Sequence, residues 1–227
     1  MATAMSTPRH SDVEIAASGC RLQGVLGARA RPRGFVLLAR DSRGDAMAWT
    51  RVADALERRG FATLSLDLIT AADAVIESRM RHSHFEVTML AARLAALVEW
   101  ARREPRLTRL PIGILAEGDG AGAALMAAAL RPREIAAVVA CDGQVDLAGP
   151  ALEDVSAPTL FIVGGLEAPA IAANREAMAR MPGEVVLDIV PDVSRPGVHG
   201  TGAVAALAVQ WFERYLVRPS VGEAEVW

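Results

Sequence analysis

Residues 111–130 read PIGILAEGDGAGAALMAAAL, and this stretch decides the fold of the 227-residue chain. Its apolar run, residues 112–116, is typical of a strand buried on both faces of a parallel sheet. Two glycines in the next four residues, EGDG, allow a tight reversal of the backbone. The alanine- and leucine-rich segment that follows at once predicts a helix. The stretch therefore predicts a strand–turn–helix unit of an α/β fold.

The same order of elements is that of a nucleophile elbow, in which a strained turn lifts a serine above the sheet. The register of the turn puts Gly118 where that serine would stand. Glycine has no side chain, so the sequence predicts the scaffold of an elbow without its nucleophile. The glycine-dense segment 118–122 also lacks the Lys-Ser/Thr of a P-loop and the spacing of a dinucleotide fingerprint. We interpret its glycines as a means of tight packing between strand and helix.

Apolar runs and helical patterns alternate along the rest of the chain, which predicts a mostly parallel sheet with helices on both faces. We expect one domain over 12–217, a loose tail over 1–11 and a second tail over 218–227. The loop 69–83 is too short to form a cap domain. Strands are predicted over 13–15, 21–26, 34–39, 61–68, 112–116, 135–140, 159–164 and 185–190, with a loop over 150–157. Helices are predicted over 46–59, 85–103, 120–130, 168–181 and 202–216, the first capped by Asp45.

The composition is that of an ordinary globular protein, with 52% hydrophobic and 22% charged residues. The net charge of −3 argues against nucleic acid or an anionic membrane as a partner. All 24 basic residues are arginine. Only two cysteines are present, the N-terminus has no apolar signal core, and no apolar run is long enough for a membrane span. We expect a cytoplasmic protein without a cofactor.

With this order of elements, the chain resembles the α/β-hydrolase fold, and more narrowly its dienelactone-hydrolase-like branch. Four segments carry the resemblance, and they are specific only in combination. They are DLIT at 67–70, the elbow strand and helix at 111–125, APTLFIVGG at 157–165 and Val-Pro at 190–191. The resemblance runs from about residue 13 to residue 216 and implies a hydrolase ancestry.

The resemblance places a catalytic triad on Gly118, Glu167 and Arg195. Acyl transfer needs a nucleophile, a histidine that takes its proton, and an acid that orients the histidine. Gly118 has no side chain, and Arg195 stays protonated and is no general base. Glu167 can replace the usual aspartate. The loop that usually reads His-Gly-Ser-Gly is RDSR at 40–43, where an anionic Asp41 would oppose the charge that acyl transfer develops. The resemblance therefore implies a catalytically inactive homologue.

A second arrangement uses Asp119 as nucleophile, since some members of this fold use an aspartate to displace a halide or to open an epoxide. His199 would be its base and Glu167 the third group. Against it, Asp119 also fits as a residue that caps the helix and is favoured by its dipole. His199 equally fits as a surface residue before the last helix. A third hypothesis is serine chemistry through a misplaced residue, Ser42 or Ser194.

The candidate binding residues lie at the mouth of the former active site and are Arg40, Asp41 and Arg195. Arginine binds carboxylate or phosphate in a bidentate manner, so a small anionic ligand is one prediction. The other is a network of ion pairs that fills an abandoned pocket, since Asp41, Asp119 and Glu167 bring the opposite charge. No metal site is predicted, because His82 and His84 have no third ligand at a suitable spacing.

The sequence thus favours a protein that works by binding, as a scaffold, an assembly subunit or a ligand sensor. The alternative is a small-molecule hydrolase acting on an ester, lactone, halide or epoxide through Asp119, His199 and Glu167. A protein partner or a second copy is the expected binding target. The terminal Trp227 is a candidate contact, since aromatic anchors dominate interface energetics.

Overall fold

A computed structural model describes residues 8–40, 46–73, 83–195 and 199–217. These residues form a single eight-stranded sheet with the strand order β1-β2-β4-β3-β5-β6-β7-β8. The first two strands form an antiparallel hairpin, and β2 pairs antiparallel with β4. The remaining neighbours pair in parallel. The strands are β1 Arg9–Ala17, β2 Cys20–Ala28, β3 Phe35–Arg40, β4 Ala62–Asp67, β5 Ile112–Glu117, β6 Ile135–Cys141, β7 Thr159–Gly164 and β8 Val185–Val190.

Helices cover both faces of this sheet. The helices are α1 Ala46–Arg58, α2 Ser83–Arg103, α3 Asp119–Leu130, α4 Ala168–Arg180 and α5 Thr201–Leu216. Helices α2 and α3 pack with the larger apolar core, while α1 and α5 pack with a second core on the opposite face. The alternation of side chains along each strand explains the two cores, since residues 37 and 39 of β3 face one and residues 36 and 38 face the other.

The predicted α/β fold is confirmed: the sheet is mostly parallel, helices lie on both faces, and no cap domain is inserted in the described part of the chain. Two local predictions need correction. Strand β1 begins at Arg9, so residues 9–11, predicted to lie in a loose tail, pair with the far end of β2. A 3-10 helix, Val145–Asp154, occupies most of the predicted loop 150–157. Both segments lack the apolar periodicity on which the sequence prediction depended.

Within the residues that the structure describes, none of the helices combines the length and apolarity that crossing a membrane requires.

Candidate functional site

Strands β3 to β8 are parallel, so their carboxyl ends meet along one edge of the sheet, which we call the strand-end edge. In open α/β sheets, ligands bind at this edge. Here β5 ends at Glu117, Gly118 forms the turn with φ 60° and ψ −130°, and α3 begins at Asp119. Glycine adopts this left-handed φ without steric cost. The turn therefore has the backbone shape of an elbow and presents no side chain at its tip.

Glu117, the residue before the tip, is completely buried. The indole Nε1 of Trp49 in α1 donates a hydrogen bond of 2.7 Å to its Oε2, and Arg195 Nη2 lies 3.8 Å from its Oε1. A buried carboxylate is costly unless it is hydrogen-bonded and paired with a cation. Arg195, which stands where the resemblance expects the catalytic histidine, is 48% exposed and supplies that cation from the loop after β8.

Arg40 and Asp67 are the last residues of the neighbouring strands β3 and β4, and the parallel register sets them side by side. Arg40 donates from Nε to Asp67 Oδ1 at 2.9 Å and from Nη2 to Oδ2 at 2.7 Å. The Nε and Nη2 donors that would bind an anionic ligand in a bidentate manner are therefore occupied by Asp67. Asp41, the other predicted binding residue here, lies outside the described residues, as do Ser42 and Asp45.

A third arginine–carboxylate pair follows β4, and sequence reasoning missed it. Arg93 of α2 is almost completely buried and donates from Nη1 to Asp73 Oδ2 and to the Leu68 carbonyl, both at 2.6 Å. Asp73 also accepts hydrogen bonds from the amide and hydroxyl of Thr70. Hydrogen bonding to Arg93 lowers the pKa of Asp73 from 3.8 to about 2. The signal in the sequence was an arginine within an otherwise apolar helix face.

Asp119 is the first residue of α3, and its Oδ1 accepts a 3.0 Å hydrogen bond from Gln144 Nε2. Asp119 was predicted to cap this helix, but the N-cap position is occupied by Gly118, one residue earlier. No side-chain hydrogen bond is made at that cap. Asp119 and Arg40 both line a cavity of about 10 Å³, roughly the space of one water molecule.

Glu167, His199 and Ser194 belong to the loops after β7 and β8. Glu167 is exposed directly before α4, and its N–H donates to the Gly164 carbonyl. His199 is exposed as well, and its N–H donates to the carbonyl of Arg195. A hydrogen bond from the amide of Leu166 to the carbonyl of Val193 joins the two loops. A catalytic set of Asp119, His199 and Glu167 stays a prediction, as does one through the half-buried Ser194.

Other predicted contacts lie beyond the described residues. This holds for His82 and for the tail with Trp227, while the side chain of His84 is likewise not described. A group that could hold a metal ion lies elsewhere, on the α1 face, and consists of His10, Asp54 and Glu57. Sequence reasoning missed it because His10 was expected in a tail.

The strand order, the parallel strand ends and the elbow turn define a protein of the α/β-hydrolase fold. A crystal structure of dienelactone hydrolase from Anabaena variabilis ATCC 29413 superposes with a TM-score of 0.86. It is 37% identical in sequence, and the match covers 93% of this chain and 100% of that one. The chain belongs to the dienelactone hydrolase family.

Two further comparisons extend this result. Two Mycobacterium tuberculosis proteins (strains CDC 1551/Oshkosh and ATCC 25618/H37Rv), named "Putative phosphoribosyl transferase", are 38% identical over 218 residues, 93% of this chain. The chain spans 48%, about half, of their length. A dienelactone hydrolase-like promiscuous phosphotriesterase from metagenomic libraries shares the fold, with a TM-score of 0.74 and 16% identity over 92% of this chain and 99% of that one. No family model matches the chain.

Proposed function

We propose that this chain is a catalytically inactive member of its family that works by binding. The observation that carries the proposal is the elbow itself. Gly118 forms the tip with the left-handed φ of an elbow, and Arg195 approaches the buried Glu117 directly behind it. The positions that the resemblance assigns to nucleophile and base thus hold a hydrogen atom and a paired guanidinium.

Neither group can do the work of a triad. A general base must accept a proton, and a guanidinium does not lose one in a protein. Removing the serine or the histidine alone from a well-studied triad enzyme costs about 10⁶ in turnover. The Arg195–Glu117 contact also gives Arg195 a structural role, because it places a cation beside a buried carboxylate.

A binding role agrees with the way the strand-end edge is built. Ion pairs join Arg40, Arg93 and Arg195 to carboxylates of the same chain, so most of these groups are positioned by the protein itself. The two longer M. tuberculosis relatives support an assembly role, since a stretch this similar accounts for about half of each of them. The target that we propose is a protein partner or a second copy, with a small anionic ligand as the other possibility at the exposed side of Arg195.

One observation favours a second candidate, a hydrolase with an aspartate nucleophile. Asp119 stands next to the tip and lines the small cavity beside Arg40. With His199 as base and Glu167 as the third group, it would act on a small ester, lactone, halide or epoxide. Gln144 binds Asp119 in this structure, so the carboxylate would have to exchange that hydrogen bond for a substrate.

Turnover of small aryl esters, lactones and alkyl halides by the purified chain distinguishes the two. We expect no rate above that of buffer, and the same result for Asp119→Asn. Turnover by the parent chain that Asp119→Asn abolishes would instead establish the second candidate.

A repaired elbow tests the register on which the proposal depends. The double variant Gly118→Ser/Arg195→His should fold, as judged by circular dichroism, because an elbow turn accommodates serine in related enzymes. Weak esterase activity in this variant, and none in either single variant, is the expected result. A double variant that fails to fold while Arg195→His alone folds would contradict the register at Gly118.

A further inference from the structure

Three side chains that bind metals in other proteins converge beside helix α1, which we call the His10 cluster: His10, Asp54 and Glu57. His10 lies in β1, while Asp54 and Glu57 are three residues apart in α1 and so share one face of the helix. His10 Nε2 is 2.9 Å from Glu57 Oε2, and one ligand atom from each of the three residues lies within 4.8 Å of the others. The cluster borders a cavity of about 340 Å³ on the α1 face of the sheet.

Strand β2 has space for the cluster at Gly27. Gly27 in β2 is the cross-strand neighbour of His10. A Cβ at position 27 would lie 2.0 Å from Glu57 Oε1 and 3.0 Å from the His10 ring carbon Cδ2. Any larger residue would therefore expel the carboxylate, the imidazole or both. The absence of a side chain at this position makes room for this pair.

The Glu57 carboxylate is 98% buried, and one of its two oxygens is held by the protein. Thr63 Oγ1 in β4 donates a 2.6 Å hydrogen bond to Oε1. This leaves Oε2 directed at His10. Metal-ligating carboxylates are commonly oriented by such an outer hydrogen bond. Thr63 is itself buried, so the orientation of Glu57 is fixed from the sheet side.

The charges at the cluster favour a cation. Within the described residues, neither Asp54 nor Glu57 has an arginine at ion-pair distance, and Asp54 has no hydrogen-bond or ion-pair partner. Arg29 approaches but donates to the backbone carbonyl of Glu57, and Arg40, at the border of the cavity, is bound by Asp67. Both carboxylates lie in the last two turns of α1, where the helix dipole disfavours negative charge and favours a cation.

We propose that the His10 cluster binds a divalent transition-metal ion, with Zn²⁺ as its best representative. One imidazole nitrogen and two carboxylate oxygens are a three-ligand set that zinc accepts, with a further position left for water or for an anionic group entering through the cavity. The ion would fasten the β1–β2 hairpin to α1. The ligands differ from the residues at the elbow, so this proposal and the inactivity of the elbow can fail separately.

Isothermal titration of tag-free, chelator-treated protein with ZnCl₂ tests the proposal. We expect one ion per chain in the wild type and loss of this site in His10→Gln. Thr63→Val should weaken binding about 10- to 100-fold, the usual effect of removing an outer hydrogen bond to a ligand. His199→Gln is the matched control, because it removes an exposed histidine outside the cluster and should leave the affinity unchanged.

Asp54→Asn guards against a folding defect in the histidine variant, since Asp54 has no hydrogen-bond or ion-pair partner among the described residues. It should fold like the wild type and bind zinc more weakly. Failure of the wild type to bind zinc above the buffer signal would overturn the proposal. Equal affinity in the wild type and in Asp54→Asn would also overturn it, because the bound ion would then be on other residues.

Discussion

The strand-end edge and the His10 cluster both place carboxylates in or beside the sheet, but they differ in how those charges are balanced. At the edge, Asp67, Asp73 and Glu117 each have an arginine within 4 Å. In the cluster, Asp54 and Glu57 have no such arginine among the described residues, and the side chain that contacts Glu57 Oε2 is the imidazole of His10. The three carboxylates at the edge are thus paired with guanidinium groups, whereas the two in the cluster are not paired with an arginine in the described part of the chain.

The fold leads one to expect a ligand site at the carboxyl ends of the parallel strands and none near β1. The strand-end edge is where ligands usually bind in such sheets, yet here three of its arginines, Arg40, Arg93 and Arg195, lie against carboxylates of the same chain. The His10 cluster lies on an antiparallel border of the sheet, where the fold gives no reason to expect a site. Carboxylates paired with arginine are typical of a structural role, and the two carboxylates without an arginine are the basis of the metal-binding proposal.

Trp49→Phe should produce the largest change, because it removes a hydrogen-bond donor to the buried Glu117. The carboxylate stays buried, so we expect a loss of about 2–3 kcal/mol in the free energy of unfolding, measured with urea. Trp211→Phe is the control, since its indole donates only a 3.4 Å bond to the neutral carbonyl of Pro158. Equal losses in the two variants would show that Glu117 does not depend on Trp49.

Asp73→Asn should cost about 2 kcal/mol near neutral pH, since the buried Arg93 loses an ionic hydrogen-bond partner. The folded-state pKa of Asp73 is lowered to about 2 from 3.8. The ion pair therefore stabilises the fold above about pH 4, and its contribution is lost as the pH falls toward 2.

The corresponding measurement is the unfolding free energy of both proteins between pH 2 and pH 6. The gap between wild type and Asp73→Asn should narrow over the acid half of this range. Asp12→Asn, at an exposed position of β1, should show no such gap. A difference that does not change with pH would contradict the assignment to the Asp73 carboxylate.

Asp54→Asn should produce the smallest change and the opposite sign. In metal-free protein it removes a negative charge that no described residue pairs with, near the carboxyl end of α1, so we expect a gain of about 0.3–1 kcal/mol. Thermal unfolding in EDTA measures it, again with Asp12→Asn as the neutral comparison. Destabilisation by Asp54→Asn in EDTA would mean that the Asp54 carboxylate already has a stabilising partner in the metal-free protein.

The fold could be predicted from the sequence because its signals are local. The elbow strand is a continuous apolar run, Gly118 follows it, and an alanine-rich helix begins at once. The parallel strands elsewhere carry the same apolar signal. Strand β1 was recognised only from Val13 onward, because its first residues are polar and pair on the edge of the sheet.

The polar contacts could be predicted only in part, since they join residues far apart in the chain. Glu117 directly follows the predicted strand 112–116, but Trp49, which donates a hydrogen bond to it, is 68 residues away. The pairing of Arg40 with Asp67 follows from the strand order β4-β3, which the sequence alone does not determine. His10 and Glu57 are 47 residues apart and meet only because Gly27 leaves space for both.

The most direct test of the central claim is the reactivity of the elbow toward a fluorophosphonate that labels serine hydrolases. The protein is incubated with the reagent and its intact mass is measured, with an active serine hydrolase of the same fold as the positive control. Gly118 has no side chain to be phosphonylated, so we expect an unchanged mass for this chain. A stoichiometric adduct on any residue of the strand-end edge would contradict it.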